Sequence, residues 1–548
     1  MNIIETIHQS IMTHLENQYA LPEQEKKSIE IALNSDEKKQ QFGDISTNAA
    51  LIIAHRAGKN PRVLAQEIVT MLKHPLFERI EIAGPGFINI FLTSHAFKQL
   101  AQELYTQHDD FFKPHGLKPL TYSLEFVSAN PTGPLHIGHG RGGIVGDVLA
   151  RILRFLGHAV TTEFYINDAG NQIQRLGVSF KIRIEQLLGI HKEIPEDGYH
   201  GEYLIELARQ CISEFGNDLL NKPDSFFEQY AQDHILKNIK VTLEKYGVIF
   251  DVWFSEKTLH QKGAIKQALE LLQLKKYVYE KDGALWFAST LFGDDKDRVV
   301  RKSSGELTYA AADIAYIQSK LERGADHLLM VLGQDHHSYV VRLKAIMQAL
   351  GYDPQRLDVI LYQLVTIKQS GELVRLSKRA GNIVSLEDII DIVGKDVARF
   401  FYLHRKVDAH LDFDLALALE HSEKNPVYYI QYAYVRAGSI LEKAAELQEF
   451  SLDAHDVQYL SAAEAVILKK IASLKSILET INTTYQTHLL AYYCLELAHS
   501  FHHYYAHNKV IIKEDIELTK SRLLVITLIR QTFKLVMDLL GISAPRSM

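Results

Sequence analysis

The chain has 548 residues, of which 47% are hydrophobic and 23% charged, with a formal net charge of −7 and only two cysteines, Cys211 and Cys494. This is the composition of an ordinary globular protein, long enough for roughly three or four domains of about 150 residues. Two isolated cysteines speak against a disulfide framework or structural zinc, and the acidic balance speaks against indiscriminate nucleic-acid binding, which needs a positive surface to displace counterions.

The N-terminus has no basic segment followed by an apolar core, so no signal peptide is expected, and a reducing cytoplasm fits the cysteine usage. Residues 1–112 mix an amphipathic helix beginning at Asn60-Pro-Arg-Val-Leu with strand-like runs Ile80-Glu-Ile and Phe87-Ile-Asn-Ile, which predicts a small α+β module. A linker follows at Lys113-Pro-His-Gly-Leu-Lys-Pro. Over 113–405 strands alternate with helices, Leu328-Leu-Met-Val-Leu and Val359-Ile-Leu-Tyr among them. Such alternation predicts a Rossmann-like parallel sheet with right-handed crossovers and ligands at the carboxyl ends of its strands. Residues 180–250 read as a helical insertion. From 406 to 548 the pattern is helical, with Ile467, Leu468, Ile471, Leu474, Leu478 and Ile481 on one face, which predicts a bundle. The apolar stretch Leu523 to Ile542 is broken by Arg530, Lys534 and Asp538, so it reads as an amphipathic helix and not a membrane span. The expected class is multidomain α/β, and removal of the bundle should leave the strand–helix region folded.

The most informative stretch is Ala129-Asn-Pro-Thr-Gly-Pro-Leu-His136-Ile-Gly138-His139-Gly, which follows the strand-like run Ser123-Leu-Glu-Phe-Val-Ser. A helix starting near Gly138 aims free N–H groups and its positive dipole end at the crevice, which suits phosphate. Gly138, lacking a side chain, lets a flat base lie against the backbone. His136 and His139 can donate to phosphoryl oxygens as charge shifts. Taken alone, the pair equally suits a proline-rich connector. A second stretch, Gly371-Glu-Leu-Val-Arg375-Leu-Ser377-Lys378-Arg379-Ala-Gly381-Asn, sets three cations around a serine, with Lys378 a point charge and Arg379 a fork for phosphates. Alone it better suits a solvated basic turn.

Together the two stretches resemble the paired signatures of class I aminoacyl-tRNA synthetases. Further motifs are similar to bacterial-type arginyl-tRNA synthetases: Ser128-Ala-Asn130-Pro131-Thr-Gly-Pro, Asn167-Asp168-Ala-Gly-Asn-Gln, Gly293-Asp-Asp-Lys-Asp-Arg298, Tyr309-Ala-Ala-Ala-Asp313-Ile-Ala-Tyr, Asp335-His-His and Asn425-Pro-Val-Tyr-Tyr-Ile-Gln-Tyr-Ala. Phe42-Gly-Asp-Ile-Ser-Thr-Asn48 and Gly84-Pro-Gly-Phe-Ile-Asn89 extend the resemblance from about residue 40 to the C-terminus.

The resemblance implies an ATP-dependent arginine–tRNA ligase acting on L-arginine, ATP and tRNA(Arg), monomeric, with Mg²⁺ accompanying the nucleotide. It implies an ATP site of Pro131, His136, Gly138, His139, Ser377, Lys378 and Arg379, with His136, His139 and Lys378 assisting the chemistry. The loop departs from the family pattern at Arg375-Leu376, where lysine and methionine are usual. Tyr309 and Asp313 lie at i and i+4, so on a helix they share a face, phenol and carboxylate toward one pocket. The resemblance assigns both to arginine, with Ser128, Asn130, His139 and Gln334, and Glu256 stands as a second guanidinium carboxylate. Related sequences often have alanine where Gln334 stands. It also implies elbow recognition by the N-terminal module and anticodon recognition by the bundle, where Tyr428, Tyr432 and Arg436 are candidate RNA contacts. Lys469-Lys470 with Lys475, Arg301-Lys302 and Lys378-Arg379 are candidate basic surfaces for tRNA. A class I synthetase for cysteine would want zinc-binding cysteines, and a regulatory protein without catalysis would lack parts of the nucleotide site. Both histidines, Gly138 and Lys378 are present.

Overall fold

The computed structural model describes residues 2–369, 372–373, 385–447 and 452–548. Arg375, Ser377, Lys378 and Arg379 lie outside the described residues. The N-terminal part is a four-stranded antiparallel sheet, order β1-β2-β4-β3, of Ile31–Leu33 (β1), Ile45–Thr47 (β2), Phe77–Ala83 (β3) and Phe87–Leu92 (β4). Helices Ile3–Tyr19 (α1), Ala49–Ala57 (α2), Pro61–Met71 (α3) and Ser94–Gln107 (α4) accompany it. Asn60 caps α3, with Pro61 at its first position, where a missing N–H costs nothing.

The central sheet has five parallel strands in the order β12-β11-β5-β6-β7: Thr121–Phe126 (β5), Ala159–Ile166 (β6), Val252–Ser255 (β7), His327–Gly333 (β11) and Leu357–Tyr362 (β12). From β5 the chain first runs outward through β6 and β7, then returns to lay β11 on the other flank of β5. The strand order therefore reverses beside β5, and a crevice opens there at the carboxyl ends. Between β6 and β7 the helices Asn171–Leu187 (α6), Tyr203–Phe215 (α7) and Asp224–Lys245 (α8) form the helical insertion, preceded by Ile137–Phe155 (α5) between β5 and β6. Helix α5 lies directly on β5, because Gly146 faces the Phe126 ring, where an added Cβ would stand 2.2 Å from the ring carbon.

Sequence patterning gave no sign of the antiparallel sheet that intervenes before β11, order β10-β9-β8, made of Val278–Lys281 (β8), Ala284–Phe287 (β9) and Arg298–Arg301 (β10). Its short strands alternate weakly, and the turn residues dominate. Helices Tyr309–Glu322 (α9) and Tyr339–Leu350 (α10) pack with it in a second apolar core behind β11 and β12. Val365–Gln369 (β13) pairs with Glu372–Leu373 (β14) and, in parallel, with Leu411–Asp414 (β15). The bundle comprises Pro426–Leu447 (α12), Ala462–Ala472 (α13), Leu474–Thr484 (α14), His488–His507 (α15) and Ile516–Leu540 (α16), with Lys395–Leu403 (α11) leading to it. No described helix is long and apolar enough to cross a membrane.

Two expectations are corrected. Lys469, Lys470 and Lys475 are no basic RNA face. All three are buried and paired, Lys469 with Asp44 at 2.6 Å, Lys470 with Glu496, and Lys475 with Glu5 at 2.9 Å, so two of them bolt the bundle to the N-terminal module. Nor is the strand–helix region independent of the bundle. One continuous apolar core joins the N-terminal module, the inner sheet and the bundle. Within it the buried Arg399 of α11 pairs with Asp147 of α5 and donates to the Leu540 carbonyl at the end of α16 (3.0 Å) and to the Tyr246 carbonyl beyond α8 (2.8 Å). Cutting the bundle away would take the Leu540 carbonyl from this guanidinium and bare the core around it.

Candidate active site

A cavity of about 1060 Å³ opens at the switch point, its walls formed by the ends of β5, β6, β7, β11 and β12 together with α5, α9 and α10. Ser128, Asn130, His136, Gly138, His139, Glu256, Tyr309, Asp313 and Gln334 all line it. Pro131 is buried in the turn and does not.

The turn out of β5 is strained. Val127 and Ser128 adopt φ of 66° and 41°, a region that costs a β-branched residue dearly. Side-chain bonds hold it: Ser128 Oγ donates to Glu125 Oε1 (3.0 Å) and accepts from the Tyr165 N–H (3.1 Å). At the helix start the histidines cap the chain themselves. His136 Nδ1 accepts from the Gly138 N–H (3.1 Å), His139 Nδ1 accepts from the His136 N–H (3.2 Å), and the rings stack at 3.7 Å. With Nδ1 used as acceptor in both rings, each proton sits on Nε2, free to donate outward. Burial lowers the pKa of His136, and burial reinforced by the neighbouring His136 lowers that of His139 to about 3, so the pair stays neutral. The helix-start N–H groups of His136 and Gly138, expected to be free, are thus taken by the rings, and this end offers an anion neutral Nε2–H donors at the positive end of a helix.

The opposite wall is anionic. Asp313, on α9, has its Oδ2 buried and without a hydrogen-bond partner. Burial lifts its pKa to about 7, opposed by Tyr339 and Arg342 and aided by Glu256 and Glu125. Glu256, just past β7, accepts from the Tyr165 hydroxyl (2.8 Å) and lies 3.7 Å from His260; burial raises its pKa, which the Tyr165 bond opposes. In the orientation that satisfies its neighbours, the Asn167 amide also donates to Glu256 (3.2 Å). Tyr309 stands 63% exposed at the mouth, one turn above Asp313 on the same helix face. Gln334 follows β11 directly. A cationic ligand with a second polar end fits this wall, and its anionic partner fits the other.

Sequence reasoning missed Glu125, Tyr165, Asn167, Tyr316, Tyr339, Arg342 and Tyr362 in this lining. Glu125 carried a signal, being the one charged residue of the strand Thr121–Phe126. Tyr316 lies seven residues after Tyr309 and continues its helix face. In the bundle, Tyr428 and Tyr432 stack 6.5 Å apart along α12, and the Arg436 guanidinium lies over the Tyr432 ring (5.8 Å) and the Tyr505 ring (4.8 Å).

Comparison with known proteins gives three family matches along the chain. Residues 3–92 match the arginyl tRNA synthetase N terminal domain, 112–401 the catalytic domain of tRNA synthetases class I (R), and 430–548 the DALR anticodon binding domain. The chain is 43% identical to the arginine–tRNA ligase of Carboxydothermus hydrogenoformans, covering 93% of each, and 41% identical to that of Oleidesulfovibrio alaskensis, covering 100% of this chain and 99% of that one. The solved arginyl-tRNA synthetase of Thermus thermophilus superposes with a TM-score of 0.77 over 99% of this chain and 100% of that one, at 20% identity, a likeness of fold.

Proposed function

The chain belongs to the arginyl-tRNA synthetase family, and we propose from that premise how its residues divide the work of an ATP-dependent arginine–tRNA ligase. The ligase activates L-arginine with ATP to arginyl-adenylate, then transfers arginine to the 3′ end of tRNA(Arg), releasing AMP and pyrophosphate. In activation the arginine carboxylate attacks the α-phosphorus and pyrophosphate leaves, so no enzyme nucleophile is consumed and positioning with charge stabilisation carries the rate.

His136 and His139 donate from Nε2 to the phosphates, and Gly138 admits the adenine ring. Lys378, with Ser377 and Arg379, holds the departing pyrophosphate; these three rest on the sequence resemblance. Asp313 and Glu256 take the guanidinium, Tyr309 covers it, and Ser128, Asn130 and Gln334 face the amino-acid end. Among the described residues no group of three His, Cys, Asp or Glu is placed to hold a metal. Mg²⁺ would be held chiefly by the oxygens of the triphosphate, where it would neutralise charge. Residues 1–112 receive the tRNA elbow and 406–548 the anticodon, with Tyr428, Tyr432 and Arg436 offering stacking rings and a cation. The enzyme acts as a monomer in the cytoplasm.

The observation that carries this assignment of roles is the unpartnered, buried Asp313 Oδ2 across one cavity from a neutral histidine turn. The test is Asp313→Asn, which keeps the shape and loses the charge. Hydrogen bonds to charged groups are worth about 1.5–3 kcal/mol, so kcat/KM for arginine should fall roughly 10- to 100-fold with the KM for ATP unchanged. Unchanged use of arginine would make Asp313 a bystander.

A further inference from the structure

Resting on that reading of the pocket, one buried cation beneath it has no role yet. Glu125 and Glu163 are register partners on the adjacent strands β5 and β6, a side-by-side pair of like charges. Lys320, its side chain wholly buried, sits against both, its Nζ 2.6 Å from Glu125 Oε2 and 3.6 Å from Glu163 Oε1. Arg323 and the Tyr316 hydroxyl hold Glu163 from its other side. The result is a neutral cluster of two carboxylates and two cations. A buried cluster of this kind adds little stability, since apolar residues of equal volume do as well or better, and breaking it is costly. What it does supply is orientation.

Of the four charged groups only Glu125 lines the cavity. Both of its oxygens are tethered, Oε2 by Lys320 and Oε1 by Ser128 Oγ. From Ser128 the tether continues through the Tyr165 N–H, and the Tyr165 hydroxyl reaches Glu256. Lys320 thus stands at the root of a chain that fixes two carboxylates of the arginine wall. It also completes a face of α9: Tyr309, Asp313, Tyr316 and Lys320 follow at i, i+4, i+7 and i+11, running from the mouth of the cavity to beneath its floor.

We propose that Lys320 is a positioning residue for arginine, acting from outside the cavity by holding Glu125 as an oriented anion in its wall, toward a cationic end of the amino acid. Other charged or titratable groups facing Glu125 are Glu163 and Tyr165 on β6, Asp313, Tyr316 and Arg323 on and beyond α9, and Tyr339 on α10.

The experiment measures aminoacylation by Lys320→Met, by Lys320→Met/Glu163→Gln and by Asp313→Asn, titrating arginine and ATP separately across pH. Lys320→Met removes the counter-ion and leaves adjacent carboxylates. The arginine KM should rise about tenfold with the ATP KM unchanged, and the pH profile of kcat/KM for arginine should depart from the parental one. The double variant restores charge balance without restoring the tether, so its melting temperature should recover while its arginine KM stays raised. A folded Lys320→Met enzyme with the parental arginine KM and pH profile would overturn the proposal. So would a double variant that returns to the parental KM, and this variant decides the matter should the single one not fold. Should Asp313→Asn also leave arginine use unchanged, the pocket reading itself has failed; an effect of Asp313→Asn alone removes only the role of Lys320.

Discussion

The two ends of the cavity are built in opposite ways. The histidine end comes from one short stretch, 128 to 139, whose rings cap their own helix and stay neutral. The carboxylate end is assembled from residues far apart in the chain, Glu125, Glu256 and Asp313, and is acidic. Phosphate needs donors that do not demand a counter-ion, and a turn carrying two neutral imidazoles with outward Nε2–H groups supplies them locally. A guanidinium needs anions, and buried anions need cations and hydroxyls behind them, which only tertiary structure can bring together. One end is a motif, then, and the other a constellation.

The sharpest way to separate them is His139→Ala. Loss of one such donor typically costs about 2.7–4 kcal/mol, two to three orders of magnitude in kcat, and the arginine KM should stay within about twofold. Activation is followed by ATP–pyrophosphate exchange with tRNA present. A large rise in arginine KM instead would merge the two ends.

Acidity should distinguish them next. Protonated Asp313 is neutral and cannot pair with a guanidinium, and its pKa stands at about 7 before arginine binds. Hence kcat/KM for arginine should be level above that pH and fall roughly tenfold per unit well below it. His139, with its pKa near 3, adds no limb in that range. Asp313→Asn should abolish the limb, and its survival in that variant would assign it elsewhere.

The mildest probe is Gly138→Ala. The new Cβ would stand 2.9 Å from His136 Cε1 and push the ring from its cap, at a cost of about 1–3 kcal/mol. The ATP KM should rise and the arginine KM should not. A variant that binds ATP as the parent does would show that the backbone there has room to spare.

The same contrast governs what the sequence made legible. The histidine turn and the Tyr309/Asp313 spacing could be read because each lies within a few residues, where helix geometry dictates which side chains meet. The partners of Glu125 could not, since its pairing with Glu163 depends on strand register and its tether on a helix almost 200 residues later in the chain. The alternation of strands and helices exposed the parallel sheet, but the sheet β8–β10 has strands too short for a clear period. Lysines 469, 470 and 475 read as surface because charge runs usually are, whereas the contact of module with bundle buries Lys469 and Lys475 against Asp44 and Glu5, and packing within the bundle pairs Lys470 with Glu496.

The most direct measurement compares arginine with citrulline, which keeps the shape of the side chain but replaces the guanidinium by a neutral urea. The ratio of kcat/KM values for the two is measured in the parent enzyme and in Asp313→Asn. If the carboxylate end reads charge, the parent strongly prefers arginine and Asp313→Asn lowers the ratio by about tenfold or more. An unchanged ratio in the variant would contradict the account.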